Sequence, residues 1–487
     1  MFDIHPVALT PRMAALRLAL PGALYHLPRP VEWALNGAAQ GRTDRAVLML
    51  HDLTPGTDYR VEVEGFAPFV FRSPDCAGAL RLDDPAHAQD LIDALPAGGT
   101  LIVPAGRHEV TPLFLRPRMT LHLEAGATLA ATPDRAAHPV LSIAQGATWE
   151  GLPEPCYAAL LTAIDCDDLA ITGAGVLDGG GDRGDWWQWP KETRNGARRS
   201  RLVHLIRSDH VTIAGLTLQN APSWTLHPWR CAGLTCAGLH IINPPDSPNT
   251  DGLNPESCTD TVIEGVRFSV GDDCIAIKAG KRGPLVPDAG ALPETRGVTI
   301  RHCWMERGHG GVVIGSEMSG GVHQVTISDC RMSGTDRGLR IKTRRGRGGA
   351  VSDIAMSRVL MEDVGTAIAI NMHYFCDPDG RSDQVQSRAP APVDATTPRI
   401  ANIRAEALRV TGLRHAFLAA LGLPEAPITG ISITDAQVSF ADAAPEVPLM
   451  AAHIRAVAGE GLLTEHCELI AAPDLAQGIL TEGADGC

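Results

Sequence analysis

Two adjacent aspartates, Asp272 and Asp273, follow Gly271 in the stretch SVGDDCIAIKAG and precede an alternating apolar run. Carboxylates held within a few ångströms of one another cannot all ionise, so one is forced to keep its proton. A protonated and an ionised carboxyl at one pH are an acid and a base. Three more constellations accompany the pair: Asn249-Thr250-Asp251-Gly252, Gly308-His309-Gly310 and Arg340-Ile341-Lys342. Hydrolysis of a glycosidic bond calls for such a set, with one carboxylic acid protonating the leaving oxygen and other carboxylates activating water or acting as nucleophile. Taken singly, each element has a plainer reading: a solvated turn or calcium ligand for Asp-Asp, a loop histidine between turn-forming glycines for His309.

Arg340 and Lys342 stand two apart in LRIKT, so on a strand they share a face. Arg344, Arg345 and Arg347 follow with no acidic residue among them. In a chain of net charge -14, a cationic spot beside a carboxylate cluster points to a substrate bearing its own carboxylates. The same overall charge opposes nucleic acid or an anionic membrane surface as the main partner.

The elements that position these residues are legible as repeats. HVTIAGLTLQNAP, GLTCAGLHIINPP, DTVIEGVRFSVGD, GVTIRHCWMERGHG, QVTISDCRMSGTD and VSDIAMSRVLMED are each strand, turn, strand, and they begin roughly 22 to 36 residues apart, a period that marks stacked coils. No such unit can bury its own apolar face, so the reading is a right-handed parallel β-helix whose inward Val, Ile and Leu stack rung on rung. A leucine-rich repeat would need a regular leucine and asparagine spacing that is missing. Asp251 and Asp273, 22 positions apart, then fall one rung apart at the same edge. Strand alternation would aim Asp272 and Asp273 to opposite faces, and Gly271 is read as a bend that turns both toward one cleft.

Ahead of the repeats, residues 1–78 read as short strands (VEWALNG, RAVLMLHDL, YRVEVEGF, FVFRS) separated by Gly, Pro and Asp turns. Leu53-Thr-Pro-Gly-Thr-Asp-Tyr59 resembles the tyrosine corner of fibronectin type III modules. The expected organisation is a small sandwich over 1–80 and a β-helix over 81–487, which opens with an amphipathic helix and strand in AHAQDLIDALPAGGTLIVPAG. Fifty glycines, 36 prolines and 44% hydrophobic residues suit a turn-rich globular chain. The first residues lack a basic start followed by a continuous apolar core, and no run is long enough to span a bilayer. The twelve cysteines are scattered without metal or redox spacing. They are read as small buried hydrophobes, which places the chain in a reducing cytoplasm, or in periplasm or outside the cell if a signal was removed.

NTDG, GDD, GHG and RIK in this order resemble glycoside hydrolase family 28, the polygalacturonases, with likeness extending over most of residues 80–487, including VPAGRHEVTPLFLRPRMTLHLEAGATL. The resemblance implies a right-handed parallel β-helix and hydrolysis with inversion, needing no metal and no cofactor. It implies that Asp272 is the general acid, that Asp251 and Asp273 activate water, and that His309 tunes the acid. By the same resemblance Arg340 and Lys342 hold a galacturonate carboxylate and Asn249 orients its neighbours. GLRIKTRRGRGG and INMHYFCDPDG are similar to stretches of bacterial exopolygalacturonases; Tyr374, in the second, lines a sugar subsite or packs in the core. Exo action needs a cleft closed at one end, for which KRGPLVPDAGALPE (281–294) and GDWWQWPKETRNGARR (184–199) are candidates. The expected substrate is a galacturonate-containing oligo- or polysaccharide. Rhamnogalacturonan and xylogalacturonan hydrolases of the same family, a calcium-dependent pectate lyase and a noncatalytic carbohydrate-binding β-helix are the alternatives.

Overall fold

A computed structural model describes residues 1–283, 292–376 and 378–471. The chain begins with seven strands: β1 (Asp3–Leu9), β2 (Ala14–Ala19), β3 (His26–Leu35), β4 (Ala38–Arg45), β5 (Val47–Leu50), β6 (Asp58–Val63) and β7 (Phe69–Arg72). They form two antiparallel sheets, β1-β2-β5 and β4-β3-β6-β7. Alternation along β6 turns Tyr59, Val61 and Val63 inward onto Leu16, Leu48 and Phe71. The Tyr59 hydroxyl accepts a 2.7 Å hydrogen bond from the Thr54 amide and so ties the turn to the sheet, as the corner motif requires.

From Ala79 onward the pairing becomes parallel. The strand Ala79–Arg81 already joins Gly99–Val103 in the long sheet, so the change of architecture falls between Arg72 and Ala79. The helix Ala88–Ala94 lies next, with Ala88 and Ile92 packed over Leu82 and Leu101 in the main core. It closes one end of the coil, where an uncovered apolar rung would face water.

The coil behind it is a parallel β-helix, and the crossover rule for parallel strands gives it a right hand. Each turn places a short strand in register with those of the turns before and after. One ladder of partners runs Leu226, Leu253, Ile275, Val312, Leu339, Ile368, Leu418 and Leu462. Along these strands, alternation separates two faces. Ile275, Ile277, Ile341, Ile368 and Ile370 belong to the central core, and the residues that alternate with them, among them Lys278, Arg340, Lys342 and Ala369, face away from it.

The sandwich is seated on the flank of the coil. Met13, Ala15 and Val47 pack on Ala214 and Ala237. Gly215, Gly238 and Gly265, on successive turns, lie against Met13, Met49 and Val47, so closely that a Cβ at each would come within 2.3 to 2.7 Å of those side chains. Arg17 of β2 reaches Glu264 of the coil (3.4 Å), a buried carboxylate that Arg301 also holds at 2.8 Å. Among the described residues no helix is long and apolar enough to cross a membrane.

Candidate active site

The four motifs meet at one corner of consecutive turns. The Gly252 amide donates to the Asp273 carbonyl (3.0 Å), the His309 amide to the Asp272 carbonyl (2.9 Å) and the Cys274 amide to the Gly310 carbonyl (2.8 Å), so NTDG, GDD and GHG are stacked by backbone hydrogen bonds. The pair does not open a strand as the sequence suggests. It occupies the turn between Arg267–Ser269 and Ile275–Ile277, where side chains are free of strict alternation. Gly271 supplies space: a Cβ there would sit 2.4 Å from the Ser247 carbonyl oxygen and 2.6 Å from that of Pro244. Gly308 and Gly310 have the same duty, since Cβ atoms on them would press on the Asp272 carbonyl oxygen (2.6 Å) and on Val313 (2.3 Å).

One oxygen from each of Asp251, Asp272 and Asp273 lies within 4.8 Å of the others. All three line a cleft of about 370 Å³ together with Asn249, His309, Arg340, Lys342 and Tyr374. Every residue expected at the site is therefore in it. The three carboxylates are not equivalent. Asp251 is 3% and Asp273 1% exposed, whereas the Asp272 side chain is 23% exposed and is the one open to a ligand.

Each carboxylate has its own charge environment. His309 Nδ1 donates to Asp272 Oδ1 at 3.2 Å. Burial would raise Asp272, but that hydrogen bond and the charges of His309, Lys342 and Lys278 outweigh it and hold the carboxyl at about 2. The same hydrogen bond raises His309 to about 9, against burial and with help from the charges of Asp272 and Asp273. Lys342 Nζ donates to Asp273 Oδ2 at 2.8 Å, and Arg340 Nη1 lies 3.6 Å from Oδ1. Asp251 has a 2.8 Å hydrogen bond from Asn254 Nδ2. Burial, then the charges of Asp272 and Asp273, push it up to about 8. The proton shared by the cluster thus rests on Asp251, and a second is held by the His309–Asp272 pair, whereas the resemblance implies a protonated Asp272.

The cationic residues also differ from expectation. Arg340 and Lys342 do share the cleft face, but they neutralise Asp273 and stand over the Tyr374 ring at 5.6 and 5.4 Å. Tyr374 is buried beneath them, which makes it a backing for the cations. The arginines that follow leave the cleft: Arg345 pairs with Glu425 at 2.6 Å and Arg344 with Asp379 at 2.6 Å. Asn249, in a left-handed backbone conformation, accepts a 2.6 Å hydrogen bond from Arg199 at its Oδ1.

Sequence reasoning missed Lys278, Glu317 and Trp224, which also line the cleft. Lys278 Nζ donates to Glu317 Oε2 (2.6 Å) and to the Gly315 carbonyl (3.3 Å), 5.0 Å above the Trp224 ring. A signal existed for the lysine: next after inward Ile277 and on the parity of Ala276, opposite to that of Ile275 and Ile277, it has to leave the core. The tryptophans of 184–199 are anchors, with Trp186 and Trp189 buried against Tyr157, and Lys191 of that loop meets Glu150 at the cleft rim. Most of the other candidate loop, residues 284–291, lies outside the described residues.

A parallel β-helix that holds three carboxylates, a histidine and two cations in one cleft defines a β-helical glycosidase. Residues 142–402, more than half of the chain, match the model of Glycosyl hydrolases family 28, and the chain belongs to that family. It is 32% identical over 354 residues to a probable polygalacturonase of Vitis vinifera, covering 72% of this chain and 69% of that one. It is 29% identical over 298 residues to an endo-polygalacturonase of Pectobacterium parmentieri, covering 58% and 67%. Among solved structures, a hyperthermoactive exopolygalacturonase from Thermotoga maritima superposes with a TM-score of 0.66 at 25% identity over 81% of this chain and 90% of that one. A family 28 exopolygalacturonase of Yersinia enterocolitica shares the fold over 97% and 96%, with a TM-score of 0.70 at 16% identity.

Proposed function

We propose that the protein hydrolyses the α-1,4-galacturonosyl linkages of polygalacturonate or oligogalacturonides, working from one chain end. The observation that carries this reading is the meeting of the three-carboxylate cluster with Arg340 and Lys342 in a single cleft. An anionic sugar unit brings its own carboxylate to the cations, and the glycosidic oxygen comes to Asp272, the accessible carboxyl, which shares its proton with His309.

On this reading Asp272 delivers the proton, with His309 and Asp251 as the neighbouring groups that carry one. Asp273 receives the proton of the attacking water. Its Oδ1 has no hydrogen-bond partner among the described residues, and an unpaired carboxylate oxygen held beside a cation is a natural seat for water. Lys342 and Arg340 then serve twice, fixing Asp273 and receiving the substrate carboxylate. Residues 1–80 act as an accessory sandwich and 81–487 as the catalytic unit. Eight buried cysteine thiols among the described residues favour a reducing compartment, which cell fractionation tests.

Exo action is supported by the roof over one end of the cleft. On the turns before Asp251 the outward residues of the ladder are His204 and His227, both fully buried. Trp224 meets the His227 ring edge-on at 4.8 Å, Arg201 stands over the rings of Trp149 and Trp224 at 4.8 and 5.3 Å, and the Lys281 amide fastens to the Gly151 carbonyl at 2.9 Å. Incubation with defined oligogalacturonides and chromatography of the earliest products is the test. Free galacturonate as the first product is expected; mixed oligomers would replace exo with endo action, and an unsaturated, ultraviolet-absorbing product abolished by chelator would replace hydrolysis with elimination.

A further inference from the structure

The far end of the same cleft is closed as well, by a segment that the catalytic motifs do not include. Beyond Arg340 and Lys342, the outward face of the ladder continues through Ala369 and Ala419, one and two turns on. Small residues there make a smooth floor on which a saccharide chain could run along the coil. Leu449, Ala451 and Val457 occupy it instead, packed on Ala369, Ala416, Ala419 and Leu421.

The segment 446–457 is a closed loop. Glu446 and Val457 exchange backbone hydrogen bonds at its base, at 3.1 and 2.9 Å. Its crown is fastened to the cleft wall: Asn371 Nδ2 donates to the Met450 carbonyl at 3.0 Å, Arg337 Nη2 to the Pro448 carbonyl at 3.1 Å, and the Ala452 amide to Gln386 Oε1 at 2.7 Å. The Met450 side chain lines the cleft, with its sulfur 3.2 Å from Arg340 Nη2. A loop tied at its base and crown and seated on apolar side chains is a wall, not a mobile lid.

We propose that this strap, with Met450 at its tip, limits the number of sugar units accepted on the Arg340 side of the scissile bond, which makes short oligogalacturonides the substrate and disfavours the polymer. The inference rests on the function proposed above. With the roof at Trp149 and Trp224 on one side and the strap on the other, the cleft has two ends. A chain placing one carboxylate on Arg340 and Lys342 has room for little beyond it.

The test is kcat/KM per chain end for di-, tri- and pentagalacturonate and for polygalacturonate, with the full-length protein and with Met450→Ala. The strap predicts that the value falls about tenfold or more from the trimer to the polymer, the size of discrimination a steric wall supplies. It predicts further that Met450→Ala narrows this ratio at least about threefold, whereas a merely structural role would lower all lengths together. Equal values for trimer and polymer in the unaltered protein overturn the strap and leave the hydrolase reading standing. No galacturonate from any length overturns both. Because the length profile of the unaltered protein decides the question, a poorly folding variant does not blunt the test.

Discussion

Lys342 Nζ donates to Asp273 Oδ2 at 2.8 Å, while Oδ1 of the same carboxylate has no hydrogen-bond partner among the described residues. One oxygen is fixed by the ammonium and the other faces the Arg340 guanidinium at 3.6 Å. Both side chains are nearly inaccessible, at 8% and 2% exposure, so removing the ammonium strands a buried carboxylate. Lys342→Met is expected to lower stability by about 3 kcal/mol, near the low end for a broken buried pair because Arg340 remains at 3.6 Å. Urea unfolding followed by circular dichroism measures this; a loss below about 1 kcal/mol would mean that the pair is not buried as described.

Asp272→Asn retains the shape and an Oδ1 that accepts the hydrogen bond from the Asp273 amide but has no acidic proton to give. Turnover is expected to fall about 10²- to 10⁴-fold, the range for loss of a positioned acid. Binding of a substrate oligosaccharide, read by calorimetry, should change only a few-fold. Retained turnover would transfer the acid role to Asp251, which holds its proton to about pH 8.

His309 and Asp272 give a signed pH dependence. His309, raised to about 9 from an ordinary 6.5, contributes stability that is complete below about pH 6.5 and is lost as pH rises through 9. Asp272, lowered to about 2 from 3.8, contributes stability that is present above about pH 4 and is lost on falling through 2. The difference in urea midpoint between the unaltered protein and His309→Asn should therefore be widest near pH 5 to 6 and close by about pH 10. The basic limb of kcat, set by the proton of the pair, should move toward acid in the variant. A midpoint difference that stays constant over this range would show that the two groups are not linked.

The close spacing of the carboxylates bears on stereochemistry. Inverting glycosidases usually hold acid and base roughly 6.5–9.5 Å apart to admit water across the sugar ring, yet here the three oxygens lie within 4.8 Å. Inversion, expected from the family, then requires water at the edge of the cluster, at Asp273 Oδ1, and not between two facing groups. Proton NMR of a fresh digest should show the β anomer first from an α linkage. The α anomer appearing first would point to a covalent intermediate on one of the aspartates.

How far the sequence carried these conclusions varies with the range of the interaction. The repeat of strand and turn sets the coil, and the 22-residue step from Asp251 to Asp273 corresponds to the pairing of Leu253 with Ile275. Tyr59 reported its own turn because the corner motif is local. By contrast, the fates of Arg344 and Arg345 depend on Asp379 and Glu425, 35 and 80 residues away, and no local pattern distinguishes a run of arginines in a cleft from one pinned behind it. The strap at Met450 was equally hidden, since it follows the last motif by more than a hundred residues and bears no chemistry of its own. Proton placement on Asp251 needed burial and the charges of Asp272 and Asp273 together, prevailing over Lys278.

The seating of the N-terminal sandwich supplies the final prediction. Gly238 has a φ of +59°, and a Cβ on it would lie 2.4 Å from the sulfur of Met49. Gly238→Ala therefore incurs two penalties: about 1–2 kcal/mol for a left-handed non-glycine residue and about 1–3 kcal/mol for overpacking against Met49. These are separable, because the second needs the methionine and the first does not. In a Met49→Ala background the same substitution should retain only the backbone part, leaving a coupling of about 1 kcal/mol or more between the two sites. Chemical denaturation of the four proteins in the cycle measures it. Additive effects would mean that Met49 does not rest on the coil at this glycine, and the sandwich would then be held by Arg17 on Glu264 and the Met13 contact instead.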